Sequence, residues 1–190
     1  MDDLYELSRR ERKKRSCKYT ILRAARELIM ERGLDVLVED VANKADISYP
    51  TFYNYFPTKA SLFYAIYLEE IEDIQEFAEM ELAGETSAKR RIERLFNEIM
   101  RDFSRYRYVD LYLAGEVAKR TEEDGGEERI NRMFRNAIQS GVDAGEFKPG
   151  VDANLYGRLI TGILLSASFY SCTEADCAGM LSILLAGMCR

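Results

Sequence analysis

Two prolines seven residues apart, Pro50 and Pro57, frame the stretch that most restricts this chain. Ser48 is a favourable N-cap, and Pro50 then falls in the first helical turn, where its missing N–H costs little. Pro57 cannot continue a helix beyond Phe56. The sequence therefore predicts a helix of about two turns within SYPTFYNYF, residues 48–56, and Tyr49, Phe52, Tyr53, Tyr55 and Phe56 crowd it with rings. Phe52 and Phe56 are four apart and share a face, Tyr49 and Tyr53 share another about 100° round, and Tyr55 lies elsewhere again. So short a helix cannot bury aromatics on every side. The phenylalanines read as anchors on preceding helices, and some of the tyrosines must reach solvent. There they either snorkel over a small core or, with Thr51 and Asn54, offer hydroxyls and amides to phosphates and base edges.

The flanking sequence supplies those preceding helices. Over residues 16–32, Ile21, Leu22, Ala25, Leu28 and Ile29 fall on one helical face, and Gly33 stands where a helix ends. Glu39–Ala45 reads as a second, short helix with Val41, Ala42 and Ala45 inward, broken by ADIS at 45–48. Helix, helix, short turn, helix is the helix-turn-helix plan. Thr58 caps a fourth helix running from Lys59 to about Leu82. Lys59 sits in its first turn, where a cation opposes the helix dipole, but a lysine beside free backbone N–H groups makes an anion site.

Charge is distributed in the same sense. The net charge is −6, yet residues 9–18, RRERKKRSCK, carry seven basic groups and one acid. Screening limits electrostatic reach to about 10 Å at ordinary salt, so this local basic arm, with Lys14, Arg15 and Lys18, governs any phosphate contact rather than the acidic bulk.

The motifs together resemble the N-terminal domain of TetR-like (tetracycline-repressor family) transcriptional regulators, over roughly residues 18–67. ILRAARELIMERG, VEDVANKADIS and YPTFYNYFPTKASLFYAIY carry the resemblance. Its most specific part matches at Ser48, Thr51, Phe52, Tyr53, Tyr55, Phe56, Thr58, Lys59, Leu62 and Phe63. The resemblance implies a homodimeric DNA-binding repressor released by a small molecule. It implies phosphate contacts from Tyr53, Tyr55 and Lys59, places Tyr49, Pro50, Thr51 and Asn54 nearest the bases, and counts Ser48 among the DNA-binding residues. There is one departure. The family carries a Thr-[ST] pair that caps the second helix and touches a phosphate, whereas Gly33 here is followed by LDVLVEDVA, with no Ser or Thr. Asp35 stands too early to replace it, so the start of the second helix is expected to be shifted or frayed.

The rest of the chain is expected to be helical as well. Val/Ile/Thr alternation is absent, prolines number three, and Leu, Ala, Glu, Arg and Met dominate. Further helices are expected at about 87–105, 107–119, 127–145, 152–171 and 174–189, with Asp152 and Thr173 as N-caps. The fold class is thus all-α with about nine helices: a basic arm and helix-turn-helix domain over 1–62, and a larger effector-binding and dimerisation domain over 63–190. A small-residue ridge at Ala178, Ser182 and Ala186, with Leu164 and Leu185, is the expected dimer contact. An apolar effector pocket is expected among Phe96, Met100, Phe103, Tyr108 and Tyr112, with Phe134, Ile138, Tyr156 and Ile160 from later helices.

Other classes find little support. With no histidine there is no nucleophile–base pair, and neither a Gly-rich phosphate loop nor a metal-spaced cluster occurs, so no catalytic residue, metal or cofactor is implied. Cys17, Cys172, Cys177 and Cys189 show no CxxC pairing and read as thiols. MDDLYELS begins acidic without an apolar leader, and no apolar stretch reaches the roughly 18–20 residues of a bilayer span, which predicts a cytoplasmic protein. The expected partners are double-stranded DNA, a second copy of the chain and a small-molecule effector. The competing expectation is an architectural DNA-binding or protein-interaction protein on the same scaffold, without an effector.

Overall fold

The computed structural model describes residues 8–101, 126–169 and 172–190. The first helix, α1 (Arg9–Arg32), begins seven residues earlier than its apolar pattern predicts. The cause is a capping box: the Glu11 amide donates to Ser8 Oγ (3.2 Å) and the Ser8 amide donates to Glu11 Oε2 (2.8 Å). The basic arm is therefore helical. Ile21, Leu22, Ala24, Ala25, Leu28 and Ile29 are buried, and Gly33, at φ 63°, ends the helix in a region that favours glycine.

After a 3₁₀ turn over Gly33–Asp35 comes α2 (Val38–Lys44), then α3 (Tyr49–Tyr55) and α4 (Lys59–Met80). The turn between α2 and α3 closes as a Schellman motif: the Ile47 amide donates to the Ala42 carbonyl (3.0 Å) and the Asp46 amide to that of Asn43 (3.1 Å). Asp46 takes φ 52°, a left-handed position that a short polar side chain tolerates. Ser48 and Thr58 both cap as expected. The Thr51 amide donates to Ser48 Oγ (3.3 Å), and the Ser61 amide to Thr58 Oγ1 (3.0 Å). Phe52, Phe56, Leu62, Phe63 and Ile66 are buried.

The chain divides into two compact units, Met1–Ile66 and Tyr67–Arg190, so the division falls inside α4, four residues beyond the expected boundary. The second unit holds the end of α4, α5 (88–101), α6 (Gly126–Asp143), α7 (Ala153–Phe169) and α8 (Glu174–Met188). The expected helix at 107–119 lies outside the described residues. Thr173 and Asp176 form a capping box on α8, and Asp152 Oδ1 accepts from the amides of Asn154 (2.9 Å) and Leu155 (3.1 Å) at the start of α7. One core joins these helices through Ile92, Phe96, Phe134, Ile138, Ile160 and Leu181, among others.

The segment after α6 fastens the start of α5 and the end of α8. Glu146 accepts from Ser87 Oγ (2.7 Å) and from the amides of Ala88 (2.6 Å) and Lys89 (3.0 Å), so a carboxylate from 58 residues away caps α5. Partial burial pushes its carboxyl upward, but the bonds from Ser87, Lys89 and Ala88 together outweigh burial and hold it below the usual carboxylate range. Phe147 is fully buried and bridges to Cys189, and the Lys148 amide donates to the Met188 carbonyl (2.9 Å). Among the described residues that bridge is the only β pairing, and no described helix is long and apolar enough to cross a membrane.

Candidate nucleic-acid interface

The geometry of α3 follows from its two kinds of aromatic ring. Phe52 is fully buried and packs on Phe56, ring centroids 5.8 Å apart. With that face turned inward, Tyr49 and Tyr53 are carried outward, each 39% exposed, and meet edge to face at 5.0 Å. Ser48, Pro50 and Asn54 are exposed, and Thr51, Tyr55 and Lys59 are half-buried. Asn54 and the two tyrosines thus share the solvent side of a helix whose other side is anchored. Ser48 Oγ is spent locally, 2.7 Å from Thr51 Oγ1. Lys59 carries its ammonium 5.3 Å from the centre of the Phe63 ring, one turn along α4.

Lys14, Arg15 and Lys18 are exposed on the first half of α1. At 100° per residue the seven basic residues of 9–18 spread round the helix, so this segment is cationic on all sides and not along one stripe.

Two partners of the tyrosines were not foreseen from the sequence. The Tyr49 hydroxyl donates to Glu39 Oε1 on α2 at 2.8 Å, and the Tyr53 hydroxyl makes a longer contact, 3.4 Å, to that of Tyr49. The Tyr53 and Glu39 bonds, in that order, push the Tyr49 pKa well above its ordinary value. For Tyr55 it is the nearby Cys17 thiol on α1, with some desolvation, that raises the pKa. The sequence signal for Glu39 was its place in the first turn of α2, where an acid suits the helix dipole.

No side chain replaces the missing cap. The N-cap of α2 is Leu37, which has no side-chain acceptor, and Asp35 is held in the preceding 3₁₀ turn. The helix starts at Val38, one residue ahead of the expected position. The Glu39 pKa is lowered, first by the nearness of its own backbone N–H and then by the Tyr49 hydroxyl. Arg32 tethers the same turn through Asp40 at 2.7 Å.

In the second unit, Phe96, Met100, Phe134, Ile138 and Ile160 do come together, but as buried members of the core, with Tyr156 packed against them. Phe103, Tyr108 and Tyr112 lie outside the described residues. Of the expected dimer residues, Ala178, Ser182 and Ala186 are exposed on α8, beside Ile183, 74% exposed. Leu164 and Leu185 are buried in the core of their own unit, on the inner faces of α7 and α8.

Residues 21–66, which contain α2, α3 and the buried half of α1, match the model for "Bacterial regulatory proteins, tetR family". That stretch is TetR-like. Solved structures agree on the TetR-like fold. A TetR transcription regulator from Haloarcula marismortui matches at 18% identity, over 93% of this chain and 100% of that one, with a TM-score of 0.74. FadR of Thermus thermophilus, a TetR-family repressor in complex with lauroyl-CoA, matches at 20% identity over 89% and 91%, with a TM-score of 0.67. RolR in complex with resorcinol matches at 19% identity over 93% and 89%, also at 0.67. No curated protein matches the chain.

Proposed function

We propose that this TetR-like chain is a sequence-specific DNA-binding transcriptional regulator that acts as a homodimeric repressor. The observation that carries this reading is the division of α3 into a buried phenylalanine face and an exposed face of Tyr49, Tyr53 and Asn54. In a dimer, two such helices enter successive major grooves about 34–36 Å apart on a pseudo-palindrome. Asn54, Thr51 and Tyr49 reach base edges, while Lys59 and the cationic start of α1 meet phosphates.

Dimerisation is supported by the outer sides of α7 and α8. Leu155, Leu159 and Ile183 are exposed together with Ala178, Ser182 and Ala186. Large apolar residues beside small ones let paired helices approach closely, as in an obligate interface burying about 2,000 Å² or more. Release by a small apolar or aromatic effector is supported by two structural neighbours, whose bound molecules are an acyl-CoA and a dihydroxybenzene. The effector acts only through its difference in affinity between the DNA-bound and released states. One observation favours the architectural alternative without an effector: the described candidate pocket residues all pack as core.

Selection of bound duplexes from random DNA, followed by a small-molecule screen for release, separates the two. Lys59→Ala should weaken binding to every sequence by about tenfold and lower the slope of log K against log salt by about one. Asn54→Ala should change which sequences are selected, at about 1–3 kcal/mol for the preferred base, with little change in salt slope. Equal effects of the two substitutions on affinity, preference and slope would refute this division of roles.

A further inference from the structure

The reading of α3 as a DNA-facing helix leaves one group unexplained, the Glu39 carboxylate on the same exposed side. A phenol has a single proton. Tyr49 gives its proton to Glu39 at 2.8 Å, and Tyr53 directs its own towards Tyr49 at 3.4 Å. Both hydroxyl protons thus run towards one carboxylate. A phosphate oxygen is an acceptor only, so neither tyrosine can donate to DNA while this chain of bonds is intact. Glu39 is itself exposed, and its charge repels a phosphate brought to the same hydroxyl.

We propose that Glu39 is an internal stand-in for a DNA phosphate, holding the tyrosine hydroxyls in the free protein and competing with the duplex for them. This rests on the DNA-binding reading and adds an affinity-limiting residue to it. Any duplex that takes these hydroxyls must first displace Glu39, so the carboxylate lowers affinity for every duplex. It also keeps Tyr49 and Tyr53 in one rotamer before DNA arrives, since an ionised acceptor makes the stronger hydrogen bond.

The test uses the full chain, fluorescence anisotropy, and two duplexes, one selected from random DNA and one scrambled. Glu39→Gln keeps the shape and an acceptor for the Tyr49 hydroxyl but removes the charge. It should tighten binding to both duplexes, by about three- to tenfold. In a Tyr49→Phe background the same substitution should gain less than half that factor, because the contested hydroxyl is gone. Glu39→Ala, with thermal melting as a check on the fold, should follow Glu39→Gln in direction. Weaker binding by folded Glu39→Gln would overturn the proposal, since Glu39 would then assist DNA contact. An equal gain in both Tyr49 backgrounds would also overturn it, leaving simple charge repulsion. Absence of duplex binding by the unsubstituted chain would instead remove the DNA-binding reading itself.

Discussion

Phe52→Ala should unfold the helix-turn-helix unit and abolish duplex binding while the second unit remains folded. Phe52 is fully buried, and its ring lies 5.5 Å from Tyr53 and 5.8 Å from Phe56. Removing a buried phenylalanine ring costs about 3–5 kcal/mol in lost transfer energy and residual cavity. The first unit spans Met1–Ile66. At about 0.05–0.15 kcal/mol per residue, a unit of that size has roughly 3–10 kcal/mol in all. The substitution therefore takes a large share of that stability, and α3 has no other buried residue to hold it. Hydrogen exchange read peptide by peptide should show protection lost across 21–56 and kept across 130–165. Duplex affinity should fall by about a hundredfold or more. Uniform loss of protection through both units would mean that they do not fold separately.

Gly141→Ala should be the most damaging single-methyl change in the second unit. Alanine is the better helix former, so in an open helix interior the exchange gains about 1 kcal/mol. Here a Cβ on Gly141 would fall 2.5 Å from the Phe147 ring and 2.7 Å from Ala88 Cβ. Phe147 is fully buried and Ala88 lies in the turn of α5 that Glu146 caps, so neither can withdraw cheaply. Overpacking of this kind costs about 1–3 kcal/mol, occasionally more, and here also disturbs the bonds around Glu146. A net loss of about 2 kcal/mol is expected, seen as a drop of roughly 5–10 °C in the melting temperature of the second unit. An unchanged or raised melting temperature would show that the 141–148 segment yields easily.

The two substitutions also mark what could be read from the residues and what could not. Phe52 was legible because Ser48, Pro50 and Pro57 fix where α3 starts and stops, and a fixed short helix fixes its faces. The caps at Asp152 and Thr173 were legible for the same local reason: each side chain bonds an amide within three residues. The extension of α1 into the basic arm rested on a local signal too, the Ser8–Glu11 box, but it was obscured by a segment with no apolar face. Glu146 and Gly141 had no such signal. Their partners lie about 58 residues away in the first case and on both sides of a packed corner in the second, so only the fold reveals them. That Leu164 and Leu185 face the core was not legible, because most of α7 and α8 is apolar and such a helix does not announce which face is inner. The Glu39–Tyr49 bond spans ten residues and forms only once the turn at Ala45–Ser48 has brought α2 and α3 together.

Hydrogen exchange of the full chain, with and without a duplex selected from random DNA, locates the bound surface most directly. New protection should appear in 48–59 and in 9–18, grow weaker as salt is raised, and fail to appear with a scrambled duplex at the same concentration. Protection absent from 48–59 while the duplex is demonstrably bound would contradict the assignment of α3, with its outward tyrosines, as the helix that grips DNA.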